Sequence, residues 1–202
     1  YEAIDPVRFI GNRSSGAQGS AIASALVRLG ADVTFITGPS TVNYPDGVKI
    51  VKVETADEMF LAVNEALPAE VAIFVAAVSD WKIENVQRQK IKKSSGQKAP
   101  SLVLAENKDI LSYVSNLKQD RPKLVIGFAA ESENILENAS TKRSKKGCDW
   151  IVANDVSLGS GVMGGKSNKV SLISETNTEN WPDMSKENVA ERLVEKILKH
   201  LN

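Results

Sequence analysis

The chain has 202 residues, enough for one well-buried α/β domain and short for two. Its 25 basic and 25 acidic residues cancel, which leaves no basic footprint of the kind nucleic acid demands. A single cysteine, Cys148, rules out an intrachain disulfide framework and suits a reducing cytosol, and the longest apolar run, VAIFVAAV at 71–78, is too short to cross a bilayer.

In chain order, the first feature is VRFIGNRSSGAQG at 7–19, a short apolar stretch followed by small and polar residues. Gly16 to Leu29 then reads as a helix with its alanines, Ile22, Leu26 and Val27 on the buried face, closed by Gly30. ADVTFITG (31–38) and KIVKV (49–53) read as strands. Thr55 and Glu58 form a capping box that opens a helix ending before Pro68. VAIFVAAV, KLVIGFAA (123–130) and DWIVAND (149–155) are apolar throughout, as strands covered on both faces should be, with a helix over 133–146 between the last two. KVSLISE (169–175) is a further strand. The final helix starts at a Ser185 cap and aligns Val189, Leu193, Ile197 and Leu201. Two stretches break the rhythm: 81–107, which reads as a projecting arm or flap, and the glycine-rich loop 156–168. Alternating strands and helices predict a three-layer, doubly wound, mostly parallel α/β sheet, with its ligand site outside the carboxyl ends of the strands.

Several motifs bear on chemistry. Gly11 and Gly16 have G-x-x-x-x-G spacing, but Ala17 and Gln18 stand where a phosphate-binding P-loop needs Lys and Ser or Thr. The spacing is not G-x-G-x-x-G either, and the strand ending Ile36-Thr37-Gly38 lacks the acid that holds a dinucleotide ribose. The small residues before the helix suit either an anion at its first N–H groups or close helix–strand packing. Asn12 is a candidate oxyanion donor, or a turn residue. Asp80 is a candidate for ribose hydroxyls, an amino group or a metal, or a cap. Lys90, Lys92 and Lys93 form a solvated edge or supply a mobile cation. Lys142 and Lys146 share a helix face, either complementing the dipole or aimed at a nucleotide. His200 near the C-terminus has no partners for a triad, and Cys148 has no metal-ligand companions.

Taken together, IDPVRFIGNRSSG, GADVTFITGP, VAIFVAAVSDW, KIKK, ENKDIL, VIGFAAE, KGCDWIVANDVS and the MGG loop resemble the phosphopantothenoylcysteine synthetase family over nearly the whole chain. That family is the second half of the bifunctional bacterial coenzyme A biosynthesis protein. The resemblance implies a Rossmann-like fold with a flap at about 85–101 and a dimerisation arm. It implies a cytoplasmic ligase that activates 4′-phosphopantothenate with CTP to an acyl-cytidylate, then forms an amide with cysteine, releasing CMP. Magnesium would accompany the triphosphate. By matching position, Asn12 would polarise the acyl carbonyl, and Lys90 would be the essential flap lysine. Arg8, Ala76 and Ala77 would join Asn12 on the acyl-substrate side. Nucleotide contacts would come from Ser14, Ser15, Gly16, Phe74, Val75, Ala76, Asp80, Asn107, Lys108, Asp109, Ile110, Phe128, Lys142 and Lys146. The resemblance also implies a homodimer, and a flavin-dependent decarboxylase domain fused to or associated with the chain.

The chain departs from the family in places. Family members carry a strand before the segment matching IDPV, where this sequence begins at Tyr1, so either residues precede these or the sheet has lost an element. Ala17 replaces a common lysine, Lys108 a proline, and Ser79 an alanine. The rival expectation is a non-catalytic nucleotide-binding domain on the same scaffold.

Overall fold

A computed structural model describes residues 1–93, 99–156 and 167–202. Residues 94–98 of the expected flap and 157–166 of the glycine-rich loop, with its MGG, lie outside the described residues. The chain begins as a small antiparallel hairpin, β1 (Glu2–Ala3) and β2 (Phe9–Ile10). Helix α1 (Ala17–Arg28) follows, then β3 (Thr34–Thr37) and β4 (Lys49–Lys52), paired parallel. Next come α2 (Ala56–Glu65), β5 (Val71–Phe74), β6 (Trp81–Ile83), β7 (Leu104–Glu106) and α3 (Ile110–Ser115). The second half holds β8 (Leu124–Glu131), α4 (Ile135–Lys146), β9 (Trp150–Asp155), β10 (Ser167–Asn168) and β11 (Val170–Ile173). β12 (Thr178–Asn180), β13 (Met184–Ser185) and α5 (Lys186–Leu201) complete it.

The main sheet has the order β12-β11-β9-β8-β5, parallel from β5 through β9 and antiparallel at the β11 and β12 edge. β8 shows why its sequence is apolar throughout: successive side chains point to opposite faces, and both faces are covered. Leu124 and Ile126 join Ile22 and Ala25 of α1 and Val189, Leu193 and Ile197 of α5 in one core. Val125 and Ala129 join Ile110 and Val114 of α3 and Ala139 of α4 in the other. Three layers result, as expected. The stripe on α5 is one residue shorter than its periodicity suggests, because Leu201 lies beyond the sheet and is exposed.

Two expectations are corrected here. The apolar run 71–78 is strand only through Phe74, which pairs with Gly127, and the alanines beyond it are exposed loop. The parallel sheet is also in two pieces, since among the described residues no ladder joins β3–β4 to β5. In the doubly wound order, the strand preceding the first helix stands between the second and fourth strands. The described residues before α1 form the β1–β2 hairpin. Helix α1 spans both pieces: a Cβ at Gly19 would rest 3.7 Å from Phe35 of β3 and 3.9 Å from Val75 beyond β5.

The base of the expected arm is the β6–β7 ladder. Helix α3 was not foreseen. It is held down on β8 at Gly127, where an added Cβ would lie 2.6 Å from Leu111 and 2.9 Å from Ile151. Gly127→Ala should therefore overpack this contact and cost about 1–3 kcal/mol. Thermal unfolding should show a fall in Tm of roughly 2–4 °C per kcal/mol for a chain of this size.

Candidate functional site

β5, β8 and β9 run parallel, so their carboxyl ends share one edge, and the site is built from the segments that leave that edge. After Phe74 the backbone opens into 75–80, with Ala76 and Ala77 exposed. The Asn12 amide Nδ2 donates to Val78 O at 3.1 Å, tying the segment before α1 to this loop. Gly16, at φ +77°, caps α1 in a left-handed conformation, and a Cβ there would sit 2.9 Å from Ser40. Ser15 Oγ accepts from the Ala17 N–H at 3.3 Å, and Ser14 Oγ from the Gly16 N–H at 3.4 Å. These are long for hydrogen bonds and easily exchanged for an anion. Among the described residues no acceptor stands against the backbone N–H of Gln18 or Gly19.

The other expected contacts divide into open groups and groups already occupied. The Asp80 side chain and the Lys90 ammonium are exposed, with no bonded partner among the described residues. Lys142 Nζ reaches Phe128 O at 3.4 Å. Lys146 is ion-paired with Asp109, whose other oxygen caps α3 by accepting from the Ser112 N–H. Lys108 lies over the Phe60 ring, 4.1 Å from its centroid. The Ile110 side chain is buried in the core, leaving only its backbone for a ligand. Asn107 is half engaged: Nδ2 donates to Ser79 O at 3.0 Å and to Glu2 Oε1 at 3.1 Å, and its N–H donates to Asp80 O, while the buried Oδ1 has no partner among the described residues. Arg8 is held by Asp5 at 2.9 Å and donates to Ile91 O at 3.1 Å.

Sequence reasoning missed Glu2 and Asp5, the buried carboxylates of the described chain. Glu2 Oε1 accepts from the N–H of Ala56, the first residue of α2, as well as from Asn107. Asp5 Oδ1 accepts from the N–H groups of Val7 and Arg8, both at 2.9 Å. The Asp-Pro pair followed by a reversal was a legible Asx-turn signal, although what Asp5 holds further along the chain was not. Burial pushes the Asp5 carboxyl up, but N–H donors from Val7, Ile91 and Arg8 and the Arg8 guanidinium together hold it below the usual carboxylate value. Because its folded pKa is depressed, its stabilising effect is complete above the unfolded value of about 3.9 and fades as pH falls through the folded one.

Cys148 is buried, and desolvation pushes its thiol up. His200 meets Trp150, at the opposite end of β9 from the site, edge-on at 5.1 Å between ring centroids. Neither offers a nucleophile or base at this edge. Among the described residues no group of three His, Cys, Asp or Glu could hold a metal ion. Magnesium usually binds through one or two carboxylates plus phosphates and keeps its waters, and Asp80 is an exposed carboxylate at this edge with no bonded partner among the described residues. The arrangement offers an amide donor, open backbone, a free helix start and an untethered ammonium, which are groups that position and stabilise charge.

Known proteins agree with this architecture. The family described as DNA/pantothenate metabolism flavoprotein C-terminal domain matches residues 1–201. The coenzyme A biosynthesis bifunctional protein CoaBC of Borreliella burgdorferi is 39% identical over 98% of this chain and 49% of that protein. Its counterpart from Haemophilus influenzae is 41% identical over 98% of this chain and 48% of that protein. The chain thus spans about half the length of these relatives. Among solved structures, the C-terminal domain of a CoaBC protein superposes with TM-score 0.82 at 34% identity, covering 99% of this chain and 90% of that one. A Cab2 variant in complex with phosphopantothenate-cysteine shares the fold, with TM-score 0.71 at 14% identity over 98% of this chain and 82% of its own.

Glu2→Ala should strand two donors, the Ala56 N–H and Asn107 Nδ2, and cost about 2–4 kcal/mol in denaturant unfolding. Glu2→Gln keeps an acceptor oxygen and should cost less than half as much.

Proposed function

We propose that this chain, which belongs to the DNA/pantothenate metabolism flavoprotein C-terminal domain family, is a CTP-dependent phosphopantothenate–cysteine ligase. The observation that carries the reading is the Asn12–Val78 bond, which sets a neutral amide between the open start of α1 and the open backbone after β5. The names of its relatives support the reading, since they place such chains in coenzyme A biosynthesis.

In this mechanism a carboxylate oxygen of 4′-phosphopantothenate attacks the α-phosphorus of CTP, the bond to the β-phosphate breaks, and pyrophosphate leaves. The cysteine amine, in its neutral form, then attacks the acyl carbon of the acyl-cytidylate, CMP leaves with the electron pair of the broken acyl–oxygen bond, and the nitrogen loses a proton to water. Asn12 keeps one Nδ2 hydrogen on Val78 O and directs the other to the acyl oxygen as charge develops there. The Gln18 and Gly19 N–H groups, assisted by Ser14 and Ser15, hold phosphate oxygens at the helix start. Ala76 and Ala77 let substrate approach bare backbone. Lys90 swings to phosphate oxygens, and Phe128, Lys142 and Lys146 flank the nucleotide. Asp80 would hold a magnesium ion carried on the triphosphate, which would supply charge neutralisation there.

The reading implies a cytoplasmic enzyme working beside a flavin-dependent decarboxylase, as in bifunctional relatives. It also implies a homodimer. Trp81, Val86, Leu102, Val103 and Leu104 are each exposed on or beside the β6–β7 arm, apolar side chains that a second copy of the chain would cover.

The protein, taken as its full natural chain, should release CMP and pyrophosphate in equal amounts, dependent on cysteine, when given 4′-phosphopantothenate, CTP and magnesium. A folded protein that binds CTP without cysteine-dependent CMP release would overturn the ligase reading. Asn12→Asp should slow amide formation at least about tenfold more than acyl-cytidylate formation, the difference expected from losing one charge-stabilising donor. Light scattering should give twice the chain mass for the unaltered protein and a single chain mass for a Val103→Asp, Leu104→Asp double variant.

A further inference from the structure

Asp5 is 2% exposed and each of its carboxylate oxygens accepts two bonds. Oδ1 takes the Val7 and Arg8 N–H groups, which close the turn between β1 and β2. Oδ2 takes Arg8 Nη1 at 2.9 Å and the Ile91 N–H at 3.1 Å. Arg8 Nη2 in turn donates to Ile91 O at 3.1 Å. The Asp5–Arg8 pair therefore grips the backbone of Ile91 at both its N–H and its C=O, as a neighbouring strand would. A second tether, from the Gln87 N–H to Ile4 O at 3.0 Å, holds the same segment to the same hairpin. Between these two fixed points lies Lys90, whose exposed ammonium has no partner among the described residues.

On the ligase reading proposed above, we infer that Asp5 is the positioning residue of the flap, holding the 87–91 backbone and the Arg8 guanidinium together so that Lys90 and Arg8 reach one bound substrate. A carboxylate is required because four donors converge on one side chain, and only two acceptor oxygens with their lone pairs accommodate them. The bonds to the Arg8 guanidinium and to three backbone N–H groups are charge-assisted, hence stronger than their neutral counterparts. Pinning the segment beside Lys90 removes most of the search that an untethered lysine would make on every turnover. Asp5 itself touches no reacting atom and acts through Arg8 and Ile91.

The isosteric change Asp5→Asn separates this role from folding. Its remaining oxygen still closes the turn to Val7 and Arg8, while its amide presents N–H groups to the Ile91 N–H and to Arg8. In the full-length protein, hydrogen exchange at the Ile91 amide should quicken about tenfold or more, the scale of one lost charge-assisted bond, with β8 and β9 unchanged. Steady-state kcat/KM should fall about tenfold, and adding Lys90→Ala to Asp5→Asn should cost far less than Lys90→Ala alone, because the two act as a unit. Should Asp5→Asn not fold, Ile91→Pro deletes the donor while keeping the carboxylate, and it should reproduce the kinetic loss that Ile91→Ala does not. Unchanged exchange at 87–91, or losses from Asp5→Asn and Lys90→Ala that multiply independently, would overturn the proposal. If the unaltered protein makes no CMP, the ligase reading fails by itself, and the exchange measurement still decides whether Asp5 holds the flap.

Discussion

Two buried carboxylates within the first five residues organise the candidate site. Removing a carboxylate from water costs several kcal/mol unless donors replace the lost solvent, so each acid is compatible only with a fold that brings donors to it. Glu2 finds the start of α2 and the Asn107 amide, and Asp5 finds its own turn, Arg8 and the Ile91 backbone. These demands draw segments near 5, 56, 80, 91 and 107 into one neighbourhood at the strand ends. Apolar burial builds the layers, but it is non-directional, and it cannot set loop backbones to within a hydrogen-bond length. The two acids supply that direction.

What they position is largely backbone. Asn107 illustrates the consequence: the Nδ2 of a side chain that the family resemblance assigns to a ligand holds Ser79 and Glu2, fixing the 78–80 loop that Asn12 also grips, while its buried Oδ1 has no partner among the described residues. Alanines at 76 and 77 then leave the loop approachable. A site read through backbone groups and amides suits a reaction whose leaving groups come activated on a nucleotide, because little proton transfer is asked of the protein.

Much of this was legible in the sequence. β8 and β9 declared themselves because burial on both faces leaves no polar position, and α5 because its stripe has helical period. The limits have physical causes. Past Phe74 the run continues in small apolar residues, and composition does not reveal that the ladder to β8 stops there. Helix α3 has only six residues, too few for a period to show. Parallel pairing was clear from alternation, but the division of the sheet depends on which segment stands between β3 and β5, a fact of topology. What Glu2 and Asp5 hold is not legible in the sequence, since their donors at 56, 91 and 107 are distant along the chain. Asn12 was recognisable as unusual, and the structure adds that its partner is Val78.

The two helix starts beside the site show where negative charge is wanted. α2 is supplied by the chain itself: Thr55 accepts from the Glu58 N–H, Glu58 reaches back to the Glu54 N–H, Asp57 lies in the first turn, and Glu2 takes the Ala56 N–H. α1 has no acid in its first turn, a glycine cap without a side-chain bond, and two serines bonded at the long end of the hydrogen-bond range. Both helices present the same partial positive charge, so the difference lies in what the sequence places against it. Ala17 fits this asymmetry, since a small uncharged residue there adds no side-chain charge beside the helix N–H groups. Nearby cations are mostly engaged, Lys146 with Asp109, Lys142 with Phe128 O and Lys108 with the Phe60 ring. At α1 the Gln18 and Gly19 N–H groups have no acceptor among the described residues, whereas those of Gly16 and Ala17 are held by the two serines at long distance.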